Sequence, residues 1–575
     1  MSKLTKALTA AAGSAGGDSL YVEDVFSTYL YDAAHGTSPI VNGINLADEG
    51  GLVWFKNRTS GYSNVLFDTE RGIANNLVSN TTAGNATSIG LASFNTNGFS
   101  FSGVNLNVNS ESHVAWTFRK AEKFFDVVTY TGNGTSNRQI PHNLGSTPGF
   151  ILIKRTDSTN NWLAWHKDVN PGYGIFDLTS TFTAGANGFF DAVADTYFET
   201  SWINTNGATF VAYLFASDAG GFGDDGSENV ISCGSYTTDG SATAQYIDLG
   251  FEPQFFIKKK TTGADNWEIY DTMRGWSAPN DTYGVSSAKR LYTNLSVAEG
   301  ATTSSPGPTA TGMYFPTGGQ SYNATYIYIA IRRPMKTPES GTEVFMPVAY
   351  TGNNTARTIT AGFPIDAELN LVRNVVAGHP LVARLTGGRD VTTDTAEVES
   401  ATYASFLGFD NQTGLEFKDA TGYSYYNSSV NTYVAYMLKR ATGFMDVVAY
   451  TGNGAVRTIP HNLGVAPEMM IFKIRNQVSN WQVYASGMGP TKSNRLNNDG
   501  APVTATAYFN DTAPTSSVFT LGTSSNMNWS GNTFISYHFA TLAGVSKVGS
   551  YTGTGAVLNV DCGFTAGARF ILIKR

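Results

Sequence analysis

Apolar residues in this chain fall in runs of about five to eight, rich in β-branched and aromatic side chains and bounded by Gly, Asn, Asp, Ser and Thr. Such runs predict short strands separated by turns. Outside the first dozen residues, no stretch holds a helical period over about eleven positions. One kind of run recurs six times and ends on or beside a base: Leu52–Lys56, Phe150–Lys154, Phe255–Lys258, Leu369–Arg373, Met470–Lys473 and Phe570–Lys574. A second kind closes each cycle: His113–Phe118, Thr209–Tyr213, Thr325–Ile329, Thr432–Tyr436 and Thr533–Tyr537.

The runs belong to a longer repeat. A Tyr-Thr pair opens each unit at Tyr130, Tyr236, Tyr350, Tyr450 and Tyr551, with a degenerate copy at Tyr31. The spacing is about 100 residues, enough for a unit to hold its own core. Three units place Asn-Trp before a short aromatic strand, at Asn161-Trp162, Asn266-Trp267 and Asn480-Trp481. The units are not equivalent. The first and fourth close alike into Asp126-Val-Val and Asp446-Val-Val. The second and fifth share Ile-Pro-His-Asn-Leu-Gly, from Ile140 and Ile459, and the third and sixth open on Gly-Ser-Tyr-Thr, from Gly234 and Gly549.

The order is therefore A-B-C-A′-B′-C′. The predicted fold is all-β, a tandem array of antiparallel β-sandwich, jelly-roll-like modules. The boundaries are a tail over 1–22, A over 23–125, B over 126–229, C over 230–345, A′ over 346–445, B′ over 446–546 and an incomplete C′ over 547–575. A sandwich cut at that point exposes sheet edges. The expectation is that the polypeptide continues for at least ~75 residues of a sandwich unit; the alternative is that the segment completes another unit by strand addition.

Composition narrows the function. Charged residues make up 14% and the net charge is −8, so no basic surface for nucleic acid is expected. No run approaches the ~20 apolar residues of a membrane span. The two cysteines, Cys233 and Cys562, offer no metal spacing or disulfide framework and read as small buried hydrophobes. The Ala-rich start is too short and interrupted for a secretion signal. No nucleophile elbow, phosphate loop, zinc-protease motif or dinucleotide fingerprint occurs, so neither enzyme activity nor a cofactor or metal is expected. The exception is a hidden glycan-hydrolase site in module C, whose Gly- and Pro-rich loop runs from Ser296 to Asn323.

Four tryptophans, Trp162, Trp165, Trp267 and Trp481, are candidate glycan contacts, because sugars stack on aromatic rings; the competing role is core packing. The strand-end bases Lys56, Lys154, Lys258, Arg373, Lys473 and Lys574 either meet anionic glycans or guard strand ends against edge pairing. His142 and His461, lacking convergent partners, read as turn histidines that hydrogen-bond backbone. Asp224, Asp225 and Glu228 match no calcium-loop pattern and read as a solvated linker.

Several segments carry a resemblance: Leu20–Asp32 (LYVEDVFSTYLYD), Gly50–Ser60 (GGLVWFKNRTS), Leu66–Gly72 (LFDTERG) and the Ser112 run into Asp-Val-Val-Thr-Tyr-Thr-Gly-Asn-Gly. Together they resemble repeat-containing virion structural or tail-fibre-like proteins of marine tailed bacteriophages. The likeness is strongest in the first two units and the A′–B′ joint. It implies a virion component on a tail or other appendage, docked on other virion proteins through its N-terminal region and displaying modules to a host-surface glycan or receptor. A homotrimer is one expected assembly; another is that a single chain supplies three pseudo-equivalent units. A glycan-binding or polysaccharide-degrading, tailspike-like protein is the alternative.

Overall fold

The computed structural model describes residues 19–32, 39–87, 90–101, 106, 108, 111–183, 185, 189–239, 245–277, 289–301, 306–316, 321–419 and 423–575. Most of the proposed tail therefore lies outside the described residues. The fold is nearly all β. Its α-helices, among the described residues, are single turns such as Val22–Val25 and Leu46–Glu49.

Five pairs of antiparallel sheets follow one another, each pair drawn from one stretch of chain. In A the large sheet runs, in spatial order, Phe26–Asp32, Ser112–Arg119, Gly51–Asn57, Val65–Asp68, Asn75–Val78 and Ala86–Thr87. In B it runs Phe125–Thr131, Thr209–Phe215, Phe150–Arg155, Leu163–His166 and Gly174–Ile175. C, A′ and B′ keep this order: opening strand, closing strand, apolar strand, then the strand that follows in sequence. The opening and closing strands pair in the same register in every module, for example Phe26 with Phe118, Phe125 with Phe215 and Phe345 with Leu438. A smaller sheet of two or three strands covers one face of each large sheet.

The Tyr-Thr-Gly-Asn opening has a physical cause. The ring of Tyr130 stacks on Phe210 of the closing strand at 5.0 Å, and its hydroxyl donates to Ile203 O at 2.9 Å. Tyr350 and Tyr450 do the same, stacking on Tyr433 and Phe534 and donating to Tyr426 O and Met527 O. The next two residues turn the chain against a buried Asn, whose side chain receives the N–H of Asn133, Asn353 or Asn453. Only Gly fits before that Asn: a Cβ on Gly132 would stand 2.0 Å from Thr205 O.

The apolar strands of A, B, C and B′ are buried on both faces, which is why they read as continuous runs without polar alternation, whereas the closing strand of A′ alternates buried and half-buried positions. In A, Val53 and Phe55 face the small sheet with Phe99 and Phe101. Leu52 and Trp54 face the other way, into a core that continues through B and C. At its centre Phe118 of A lies 5.6 Å from Phe215 of B and 6.0 Å from Phe255 of C. Three modules of one chain thus surround a shared aromatic core. A′ and B′ share a corresponding core built from Met445, Val447, Trp481 and Ala383.

Residues 547–575 form no strand or helix and are largely exposed. The strand expected over Phe570–Lys574 is absent, because no described strand lies beside it to pair with its backbone. Cys562, expected to be buried, is only half-buried there, whereas Cys233 is packed inside.

Candidate functional site

The repeated polar side chains converge on the joints between modules. Pairing with the closing strand sets the register, and in that register Lys56, Lys154, Lys259 and Lys473 occupy one position of the apolar strand. Each ammonium donates to two carbonyls. One belongs to its own module six residues on: Tyr62, Asn160, Asp265 or Ser479. The other belongs to a neighbouring module: Ser296 O at 2.9 Å, Thr82 O at 2.7 Å, Thr179 O at 2.9 Å and Ala396 O at 3.0 Å, respectively. Burial lowers all four lysine pKa values to about 8.

The Asn-Trp tryptophans make the same crossing four residues earlier on the neighbour. Trp162 Nε1 donates to Val78 O at 3.0 Å, Trp267 to Ile175 O at 3.2 Å and Trp481 to Thr392 O at 2.9 Å. Module A has Asn64 at this place, and its amide reaches Tyr292 O, Thr293 O and Leu295 O of C. A later Asn or Asp fixes the position in all five modules by accepting its backbone N–H: Asn80, Asp177, Asn294, Asp394 and Asn497. The direction is cyclic. B holds A, C holds B and A holds C, closed further by the Arg58–Glu299 ion pair at 2.9 Å. Glu299 would be raised by burial, but Arg58 and Arg274 pull its carboxyl down to about 2.

These positions revise the expected site. Trp162, Trp267 and Trp481 are packed at the joints, and Trp165 lies in B's own core against Phe190, its indole on Asn170 Oδ1 at 3.3 Å. No ring face is open to a sugar. Lys56, Lys154 and Lys473 are at most 1% exposed, so they neither meet anionic glycans nor guard an edge. In C the joint lysine is Lys259; Lys258 points to the opposite face and pairs with Glu268 at 3.0 Å. Arg373 is exposed beyond the end of its strand, and the joint position in A′ is Leu371. Lys574 reaches Asn498 O of B′.

The turn histidines act on backbone. His142 and His461 accept the N–H of Leu144 and Leu463 on Nδ1, and Nε2 sits 3.1 Å from Ala194 O and Thr515 O. The preceding Asp-Val-Val aspartates accept the N–H of Asn143 and Asn462, which links the two repeated motifs physically. Asp224 is held by the Tyr21 hydroxyl, Asp225 accepts from Ser227, and Glu228 pairs with Arg332. Among the described residues no three or more His, Cys, Asp or Glu form a metal-binding group. No described helix is long and apolar enough to cross a membrane. The described part of the Ser296–Asn323 loop supplies the hairpin Gly307–Thr309 and Gly312–Phe315 of C's small sheet.

Two charged features escaped the sequence. Where C meets A′ and B′, Arg440 Nη1 lies 2.8 Å from Glu252 and Arg333 Nη1 lies 2.9 Å from Asp446. Burial alone would raise the Asp446 carboxyl; Arg333 and Arg440 more than offset it and hold it low. The other feature is Glu368 in A′, fully buried with no hydrogen-bond partner on either oxygen among the described residues, its pKa driven far up by burial. The recurrence of Asp446 was a usable signal for the first. Nothing in the pattern marked the second.

Joints of this kind define a structural class: an array of β-sandwich modules whose repeated chemistry is spent on holding the modules to one another. The chain belongs to the family described as Domain of unknown function (DUF7483), matching it twice, over residues 22–333 and again over 340–575. The two matches fall on the A-B-C block and on the block that repeats it. No curated protein matches the chain.

Proposed function

We propose that this protein is a structural component of a bacteriophage virion, an appendage of the tail-fibre kind that displays its modules for attachment to a host surface. One observation carries the reading: the side chains that recur from module to module are consumed at module joints, as suits a rigid display scaffold and not a catalytic pocket. The resemblance of the first two modules to tail-fibre-like proteins supplies the setting. The ring formed by A, B and C favours one chain doing what three subunits do elsewhere, so a monomer is expected; a stable homotrimer by mass measurement would count against it. No catalytic step is assigned. Many such modules on one particle bind by avidity, each contact weak. Immunogold labelling of purified particles with antibody to module B is the test, and label on the capsid shell away from tail and appendages would sink the reading.

A glycan-binding role has one specific observation in its favour. In B, Tyr173, Phe189 and Trp202 form a surface ladder with ring separations of 4.1 and 4.9 Å, and Trp202 is 63% exposed. This ladder, not the buried tryptophans, offers a ring to a sugar. Glycan-array binding that survives Trp202→Ala would remove it.

A further inference from the structure

The lysine and indole stitches all stay inside a block. They join A to C, B to A, C to B and B′ to A′, and none of them runs between residues 22–333 and residues 340–575. The apolar cores divide the same way. One cluster spans A, B and C, another spans A′ and B′, and among the described residues none holds side chains from both blocks.

What crosses between the blocks is charge. Glu252 and Arg333 of C face Arg440 and Asp446 of the second block, with Arg440 Nη1 2.8 Å from Glu252 Oε1 and Arg333 Nη1 2.9 Å from Asp446 Oδ1. All four are at most 7% exposed. Asn462 donates its amide to Glu252 at 3.3 Å and to Ala310 O at 2.9 Å. Towards A′, Arg58 reaches Asp410 at 2.7 Å and Arg384 reaches Thr272 O at 3.3 Å. Packing among these contacts is incomplete: a small cavity lies between Glu252 and Thr309 of C, Leu385 of A′ and Val448 of B′. The covalent link, residues 334–339, forms no strand or helix. Glu23 of the first block accepts the N–H of Met335 and of Lys336, both at 2.8 Å, and Thr442 of the second donates to Met335 O at 2.9 Å.

The two kinds of joint differ in what they do. Shared apolar burial holds modules together in proportion to the area removed from water. A buried ion pair gains little over its desolvation cost, yet it demands one geometry. Domains that meet through a polar interface move relative to one another unless something fixes them. We propose that the joint between the blocks is a latched hinge: residues 334–339 are the hinge, and Glu252, Arg333, Arg440 and Asp446 are the latch that sets one angle between two rigid bodies. With the latch closed, the second block projects from the first in a fixed direction. With it open, the second block swings about the linker while every stitch inside the blocks stays made.

The test uses the full chain with spin labels on Ser136→Cys in B and Ser516→Cys in B′, both exposed positions, in a Cys562→Ser background; Cys233 is buried and stays unlabelled. Pulsed electron resonance reads the distance between the labels, and one narrow distance is expected while the latch is intact. Glu252→Gln with Arg333→Gln removes the C half of the latch without changing net charge. It leaves Arg440 with Asp366 and Asp446, at 3.7 and 3.9 Å. In that variant the narrow peak should be lost to a broad distribution, while the calorimetric melting of both blocks stays where it was. Three results would overturn the proposal: a narrow distance that survives in the variant, a broad distribution already present with the latch intact, or a fall in the melting of either block. The last would make the four residues part of a block's own fold.

Discussion

The two blocks of this chain use one plan to different ends. In the first, three modules close a ring. Phe26, Phe118, Phe150, Phe215 and Phe255 meet at its centre, none more than 6% exposed, and every module holds a neighbour through a lysine and an Asn or Trp. In the second, A′ and B′ keep one stitched joint, through Lys473 and Trp481, while the corresponding central residues stay half-buried. A′ has Leu371 and His379 where the other modules carry the lysine and the Asn or Trp. The difference teaches that the two donors go together: the module that lacks the lysine lacks the Asn or Trp as well. A buried ammonium without acceptors would cost several kcal/mol, so each buried joint lysine comes with its two carbonyls.

Calorimetry is the first way to break the comparison. Phe255→Ala should cost the closed block about 3–5 kcal/mol, whereas Phe570→Ala, at a partly exposed site, should cost under about 1. Equal losses would mean that the two cores are equivalent. Next in size are the stitches. Lys154→Met leaves the Thr82 and Asn160 carbonyls without their donor and should destabilise the A–B joint by about 2–3 kcal/mol. Lys574→Met, at an exposed contact, should be near neutral in urea titration.

Glu368 works in the opposite direction. Its folded pKa lies above the unfolded value of 4.5, so its carboxyl binds a proton more readily in the native state and its contribution falls as pH rises above 4.5. Glu368→Leu should therefore stabilise the second block at pH 7 by about 1–3 kcal/mol and flatten its melting temperature between pH 5 and pH 7. A loss at pH 7 would show that the carboxylate has a partner.

Acid affects the closed block by the reverse sign. Burial lowers His113 and His166 to about 4 from 6.5, so the stability tied to their neutral form is complete above 6.5 and lost as pH falls towards 4. His166 Nε2 sits 3.2 Å from Tyr328 O across the B–C joint. Melting temperature should drop between pH 6.5 and pH 5, and less so in His166→Gln. The smallest effect belongs to the indoles: Trp162→Phe keeps an aromatic ring but removes the pyrrole ring and its one hydrogen bond, about 1–2 kcal/mol.

Much of the fold was legible because strands announce themselves locally. The runs at Phe150 and Thr209 and the Tyr-Thr marker appear in the structure within sheets of matching topology. The sites were less legible. The joint base of C was assigned to Lys258, one residue early, because Lys258-Lys259-Lys260 offers three choices and only pairing with Thr325–Arg332 selects among them. The acceptors of the lysines and indoles are loop carbonyls, which carry no residue identity, so no motif advertised Val78, Thr82, Ile175 or Thr179. The clamps Asn80, Asp177, Asp394 and Asn497 recur 15 or 16 residues after the position they hold and could have been found, whereas Asn294 follows its Trp by 27 and could not.

Sequence alone determined which segments pleat, where each unit opens and that the units run as two successive blocks. These follow from side-chain size, β-branching and turn chemistry within a few residues. Only the tertiary structure decided that three units share a core and that the recurrent bases and tryptophans face inward across joints. Those outcomes depend on which faces meet in space, and backbone carbonyls, identical along every chain, leave no trace of that in the sequence.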